Sequence, residues 1–291
     1  MKHLLVVCLL IFAAACSTPP EPKPQPKTKS GETKKLKLSD VKTKFACNMA
    51  MWFKGDHISK MKQAKAMGFK GVEFWGLNQK KVDEITKASK ELDIEVVQFT
   101  GSGRSICDAK NHEAFVKDIE RSCKWAKQMG CKMFTVVGHR YIKGIDKETQ
   151  IANYTKAMKL VKPIVEKHQV MIIIEPFNPV NHGKCILNGS QLAVKICREV
   201  NSKMIKINWD FYHMQLTEGD LVDYLKKGFD QVGYIQLADT PGRNQPGTGE
   251  LNYKFILKEL HKLGYRGYVG VECRPRGTHE KALQQLLENS Y

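Results

Sequence analysis

Residues 45–291 predict an α/β chain folded as a single (β/α)8 barrel, on three observations. Four apolar runs in the second half, VMIIIE, IKINWD, GYIQ and YVGVE, end in Glu175, Asp210, Gln236 and Glu272, with room between them for a loop, a helix and a return loop. The segment is 247 residues long, close to the roughly 250 of an eightfold barrel. Eight strand–helix units can be traced along it. Alternating elements also suit an open doubly wound sheet, which is the structural alternative.

The first strand is FACNM (45–49), followed by a helix from Asp56, a good N-cap residue, to Met67. KGVEFW (70–75) is the second strand, with a helix over 80–92. IEVVQFT (94–100) is the third, and its helix, 110–129, stops at Gly130. KMFTVVG (132–138) is the fourth; its helix, 147–167, must accommodate Pro163. VMIIIE (170–175) precedes a helix over 190–200. MIKINWD (204–210) is the sixth strand, and Thr217-x-x-Asp220 resembles a capping box opening a helix to Lys227. VGYIQLAD (232–239) leads to a helix over 253–263, and GYVGVEC (267–273) to a closing helix over 279–289.

Strand alternation places Asp210 on one face with Asn208 and Lys206, and Ile205, Ile207 and Trp209 on the other. Glu272 likewise shares its face with Gly270 and Tyr268. The polar rows then point into the barrel and the apolar rows toward the helices.

The N-terminus has a different character. Lys2, an apolar stretch from Leu4 to Phe12 and Ala13-Ala14-Ala15-Cys16 resemble a bacterial lipoprotein signal, residues 1–15, cut before a lipidated Cys16. The apolar stretch is too short for a membrane-spanning helix. Residues 16–44 are rich in Pro, Lys, Thr and Ser and read as a disordered tether. The expectation is an exported protein on the periplasmic side or cell surface, held to a membrane by its lipid.

The formal net charge is +17, and residues 1–44, with nine Lys and three acids, supply +6 of it. The remaining Lys are scattered on helical segments without interleaved aromatics, which argues against a nucleic-acid partner. Cys8 and Cys16 aside, seven Cys lack the spacing of a disulfide framework and read as small buried hydrophobes.

Glu175, Asp210, Gln236 and Glu272 on one rim form an all-oxygen cage for a divalent metal. Such a donor set favours Mg²⁺ or Mn²⁺, with Zn²⁺ and Co²⁺ as alternatives. Two Glu residues on opposite sides of a substrate suit removal of a proton α to a carbonyl and its return elsewhere. His213, three residues past Asp210, is placed to reach the same pocket. Arg243, after a Pro-Gly turn, suits a bidentate grip on a carboxylate or phosphate. Pro246-Gly247-Thr248-Gly249 is a weak phosphate-loop signal, lacking the Lys of a P-loop. Glu73 and His139 are further rim candidates for substrate contact, and Trp52 and Phe53 are candidate pocket walls.

GFKGVEFW, IIIEPFN, NWDFYHMQ, IQLADTPGRNQPGTGELNY and GYVGVEC together resemble the hydroxypyruvate isomerase branch of the xylose-isomerase-like sugar isomerases and epimerases. The resemblance spans nearly all of 45–276. It implies a TIM barrel holding one divalent metal, with Glu175 and Glu272 as both ligands and acid/base pair. Asp210 and Gln236 complete the metal site in this reading, and His213 and Arg243 hold substrate. Where many keto-sugar epimerases carry a further Glu, EPFNPVNH offers Asn178, Asn181 and His182. A trinuclear zinc nuclease of the same fold class is excluded by the absence of its histidine cluster.

The expected function is therefore metal-dependent isomerisation of a small hydroxy-carbonyl acid or sugar through an enediolate. An exported keto-sugar epimerase or 3-keto-glycoside lyase is the nearest alternative. A lipid-anchored sugar-binding protein without catalysis is the alternative from another class. Oligomeric state is left open.

Overall fold

The computed structural model describes residues 35–291. The expected signal peptide, Cys16 and most of the tether lie outside the described residues.

Eight parallel strands close in sequence order, and β8 pairs with β1. They are β1 (Lys44–Asn48), β2 (Gly71–Phe74), β3 (Glu95–Ser102), β4 (Met133–Val136), β5 (Met171–Ile174), β6 (Ile205–Asp210), β7 (Val232–Leu237) and β8 (Tyr268–Val271). Closure satisfies both sheet edges and rules out the open doubly wound alternative. Outside the barrel run α1 (His57–Ala66), α2 (Gln79–Leu92), α3 (His112–Met129), α4 (Lys147–His168), α5 (Pro179–His182), α6 (Ser190–Val200), α7 (Phe211–Thr217), α8 (Leu221–Gly228), α9 (Tyr253–Lys262) and α10 (His279–Glu288).

Helix starts follow short polar side chains. Asp56, Asn78, Asp146 and Thr278 each accept a backbone N–H from the first turn of α1, α2, α4 and α10. Gly130 ends α3 with φ 69°, a conformation that costs glycine little. Pro163 sits inside α4, which runs on to His168.

The expected capping box at 217–220 does not form. Thr217 Oγ1 donates back to the His213 carbonyl and ends α7, while Asp220 makes no side-chain cap to α8. The short helices α5 and α7, both on the rim that carries the site, were not foreseen.

Large apolar side chains such as Trp209, Phe69, Phe115 and Phe134 are fully buried. Inside the barrel, Ala46, Val97, Ile173 and Tyr234 form a small apolar plug. Toward the C-terminal rim the buried residues become polar: Asn48, Glu73, Gln98, Thr135, Asn208 and Gln236. The seven Cys among the described residues are buried and unpaired.

The tether ends earlier than its composition suggests. Leu36, Leu38 and Val41 pack against the core. Leu36 donates its N–H to Gln284 Oε1 at 2.9 Å and accepts from Gln284 Nε2 at 2.7 Å, and the Thr43 N–H donates to the Tyr291 carbonyl at 2.9 Å. Three apolar residues among lysines are enough to fasten this strap.

Removing residues 35–43 from the 35–291 domain should leave the barrel folded but cost roughly 3 kcal/mol, from three half-buried side chains. That corresponds to a melting temperature about 6–12 °C lower in a thermal scan.

Candidate active site

Strand ends converge on a pocket of about 200 Å³ at the C-terminal rim, lined among others by Trp75, Glu175, Phe177, His182, His213, Gln236, Arg243 and Glu272. One ligand atom from each of Glu175, Asp210, His213 and Glu272 lies within 4.8 Å of the others, and all four residues are buried. Glu175 follows β5, Asp210 ends β6 and Glu272 follows β8.

Three carboxylates this close and this dry repel one another, and the pKa shifts record it. Burial, then Glu272 and Asp210, push the Glu175 carboxyl well above the usual range. Burial raises Asp210 to about 7, with Arg243 opposing and Glu272 reinforcing the rise. Such a cluster calls for a cation.

Arg243 supplies one. Its Nη2 contacts Glu272 Oε2 and lies 3.4 Å from Asp210 Oδ2. Burial pulls its pKa down, but Glu272, Asp210 and Glu175 outweigh that and raise it. Its Nε is buried with no acceptor.

Glu272 is gripped on its other oxygen as well. The Trp75 indole N–H donates to Oε1 at 2.8 Å and Asn48 Nδ2 donates to it at 3.3 Å. Neither residue was singled out from the sequence. Trp75 lies two positions past Glu73, so strand alternation was the available signal.

His213 reaches the cluster as the α7 start suggests, with Nε2 3.5 Å from Asp210 Oδ2 and 3.6 Å from Glu175 Oε1. Its Nδ1 accepts the Asn178 backbone N–H at 3.3 Å and lies 2.7 Å from Asn178 Nδ2. Two donors on Nδ1 assign the proton to Nε2. Burial and Arg243 hold the ring's pKa well below its ordinary value, so His213 is a neutral donor aimed into the pocket.

Gln236 stands opposite Asp210 in the β6–β7 pairing and lines the pocket. Its Nε2 donates to Glu73 Oε1 at 2.8 Å and its Oε1 accepts from Asn208 Nδ2, which leaves that oxygen one lone pair.

Other expectations are corrected by position. Glu73 is completely buried beneath the pocket and accepts from Asn48, Gln98, Tyr234 and Gln236, so it organises the floor instead of meeting substrate. Burial, then Glu272, raise its carboxyl to about 7. His139 is 1% exposed, packed on Phe177, with Nε2 2.8 Å from the Glu175 carbonyl oxygen; it supports the strand-five loop from behind. Trp52 and Phe53 are buried, and Trp52 donates to the Val271 carbonyl, because the chain after β1 folds back under the rim. The Gly247–Gly249 turn cradles no phosphate: the N–H groups of Gly247, Thr248 and Gly249 all donate to Asp239 Oδ2.

The donor chemistry fits a divalent metal: buried carboxylates from Glu175, Asp210 and Glu272, with the Gln236 oxygen and His213 beside them.

The sequence pattern of a family described as a xylose isomerase-like TIM barrel matches residues 61–290. A hydroxypyruvate isomerase of Escherichia coli K12 is 28% identical over 252 residues, covering 84% of this chain and 98% of the relative. A 2-oxo-tetronate isomerase of Cupriavidus necator is 28% identical over 253 residues, covering 84% and 97%. A solved Brucella melitensis structure described as an AP endonuclease of family 2 superposes with a TM-score of 0.79 at 25% identity, covering 83% of this chain and 96% of that one.

Because Asp210 and Glu73 titrate near 7 when folded and near 4 when unfolded, the metal-free native state binds more protons in that window. Its stability is therefore greatest below about pH 4 for these groups and falls as pH rises through 7. Added Mn²⁺ should raise the melting temperature more at pH 8 than at pH 5.5, as thermal scans with and without chelator would show; an equal or smaller shift at pH 8 would contradict this.

Proposed function

Because the chain belongs to the xylose isomerase-like TIM-barrel family, we propose that it is an isomerase of a small hydroxy-carbonyl acid or sugar, with Glu175 and Glu272 exchanging the proton. The observation that carries this reading is the convergence of Glu175, Asp210 and Glu272 in a small pocket with Arg243 beside them. The isomerases reported above, named for hydroxypyruvate and 2-oxo-tetronate, support it. Both names denote carboxylates with neighbouring carbonyl and hydroxyl carbons.

Glu175, Asp210, Glu272 and Gln236 would hold the divalent metal, Mg²⁺ or Mn²⁺ by their hardness, and when bound it would stabilise negative charge on the substrate oxygens. Arg243 anchors the substrate carboxylate through its free Nε–H. His213 donates its Nε2–H to a substrate oxygen. Glu272, held by Trp75, Asn48 and Arg243, is oriented to take a proton from the hydroxylated carbon. Glu175, whose carboxyl burial and then Glu272 push well above the usual range, is suited to return one to the neighbouring carbon.

A keto-sugar substrate is favoured by one feature, the aromatic surface of Trp75 and of Phe177 stacked on His182 at the pocket mouth, which suits the C–H face of a sugar ring. The AP endonuclease likeness supports the fold alone.

Proton NMR in D₂O with Mn²⁺ or Mg²⁺ and a panel of hydroxypyruvate, ketoses and 3-keto-glycosides tests the reading, the product separating isomerase from epimerase or lyase. E175Q and E272Q should lower exchange and turnover by about 10²–10⁴-fold with the fold intact by circular dichroism. Near-wild-type rates in either variant would remove that residue from the mechanism.

A further inference from the structure

The rim opposite the pocket carries a second concavity, a groove of about 810 Å³ between the strap, the start of β1, the α1–β2 turn and β8. Its walls are apolar, formed chiefly by Leu36, Leu38, Val41, Phe45, Met67 and Leu283. Lys37, Lys42, Lys44 and Lys70 edge it, all exposed, and no carboxylate lines it. Among the described residues these four make no ion pair, although Lys42 donates to the Tyr291 hydroxyl. The nearest acid on the strap, Asp40, is occupied in accepting the Lys37 N–H.

Elsewhere on this rim several basic residues are paired with acids: Lys65 with Asp93, Arg198 with Asp230, and Lys226 and Lys262 with Glu259. The last turns of α1, α2, α3, α4, α6, α8 and α9 each hold Lys, Arg or His. Complementing helix dipoles explains one such residue per helix. It does not explain the groove lysines, none of which lies in a helix.

We propose that this groove seats anionic phospholipid, so that the barrel docks on a membrane by its N-terminal rim and opens its pocket to solvent. Apolar walls edged by unpaired ammonium groups match the boundary between acyl chain and headgroup. The chain also enters the domain at this rim, at Lys35, directly after the segment whose sequence carries the apolar stretch and Cys16. Lipidation there would hold a bilayer beside this face, and a lipid anchor and a basic patch reinforce each other. Charge disfavours two other occupants. The upstream segment 16–34 has four Lys against two Glu, and a second copy would present the same lysines. The proposal is independent of the isomerase reading.

The test is cosedimentation of residues 35–291, which contain the whole closed barrel, with phosphatidylglycerol and phosphatidylcholine vesicles. Binding to the anionic vesicles alone, weakened by salt, is expected. The variant K37E/K42E/K44E/K70E should bind at least about 600-fold more weakly, each lysine contributing roughly fivefold at an anionic surface. The variant K54E/K143E/K147E/K184E, altered on the opposite rim, should bind as wild type, with melting temperatures confirming that both fold. Equal binding to both lipids, equal loss in both variants, or no binding would overturn the proposal. So would markedly weaker binding by unlipidated 17–291 than by 35–291, which would show the chain's own tether filling the groove.

Discussion

Three carboxylates gathered in a dry barrel mouth are the constraint to which the rest of the site answers. Two unit charges about 4 Å apart repel by roughly 4 kcal/mol at the effective dielectric of a protein, and here there are three. The closed sheet holds Glu175, Asp210 and Glu272 together because their positions are fixed by strands that cannot splay. Arg243 meets part of the charge. The rest is met by protonation or by a metal cation, and this makes the site responsive to both.

The support for this arrangement lies one layer below and one loop above. Below, Glu73 accepts from four side chains, and through Gln236 and Asn48 it ties β1, β7 and the site into one hydrogen-bonded floor. Leaving any of these partners out would strand a buried polar group at a cost of about 1–3 kcal/mol. Above, Asp239 collects the backbone N–H groups of Thr240, Gly247, Thr248, Gly249 and Leu251. That single carboxylate folds the loop which presents Arg243, itself in a left-handed conformation with φ 56°. The arrangement of the site thus depends in part on Glu73 and Asp239, neither of which lines the pocket.

Strand-end spacing made the barrel and its polar rim legible, since it depends only on the period-two alternation of side chains. The same alternation placed Asp210 and Glu272 inward without any tertiary information. It could not tell Glu73, deep in the barrel, from a rim residue, because depth depends on strand stagger. Trp75 was passed over because an aromatic at a strand end looks like core, whereas the residue is 45% exposed and its indole N–H holds Glu272. The glycine turn after Pro246 resembled an anion cradle because the sequence does not show that Asp239 already fills that role. The strap was read as tether because composition averages over residues, while three spaced apolar side chains suffice to pack it.

The central claim is that the carboxylate cluster binds one divalent cation as the centre of its chemistry. A crystal of the domain grown with Mn²⁺ and measured at the manganese absorption edge tests it directly. One anomalous peak within coordination distance of Glu175, Asp210 and Glu272 is the predicted result. An ordered site with Asp210 and Glu272 still paired to Arg243, and no anomalous density among the three carboxylates, would contradict the account.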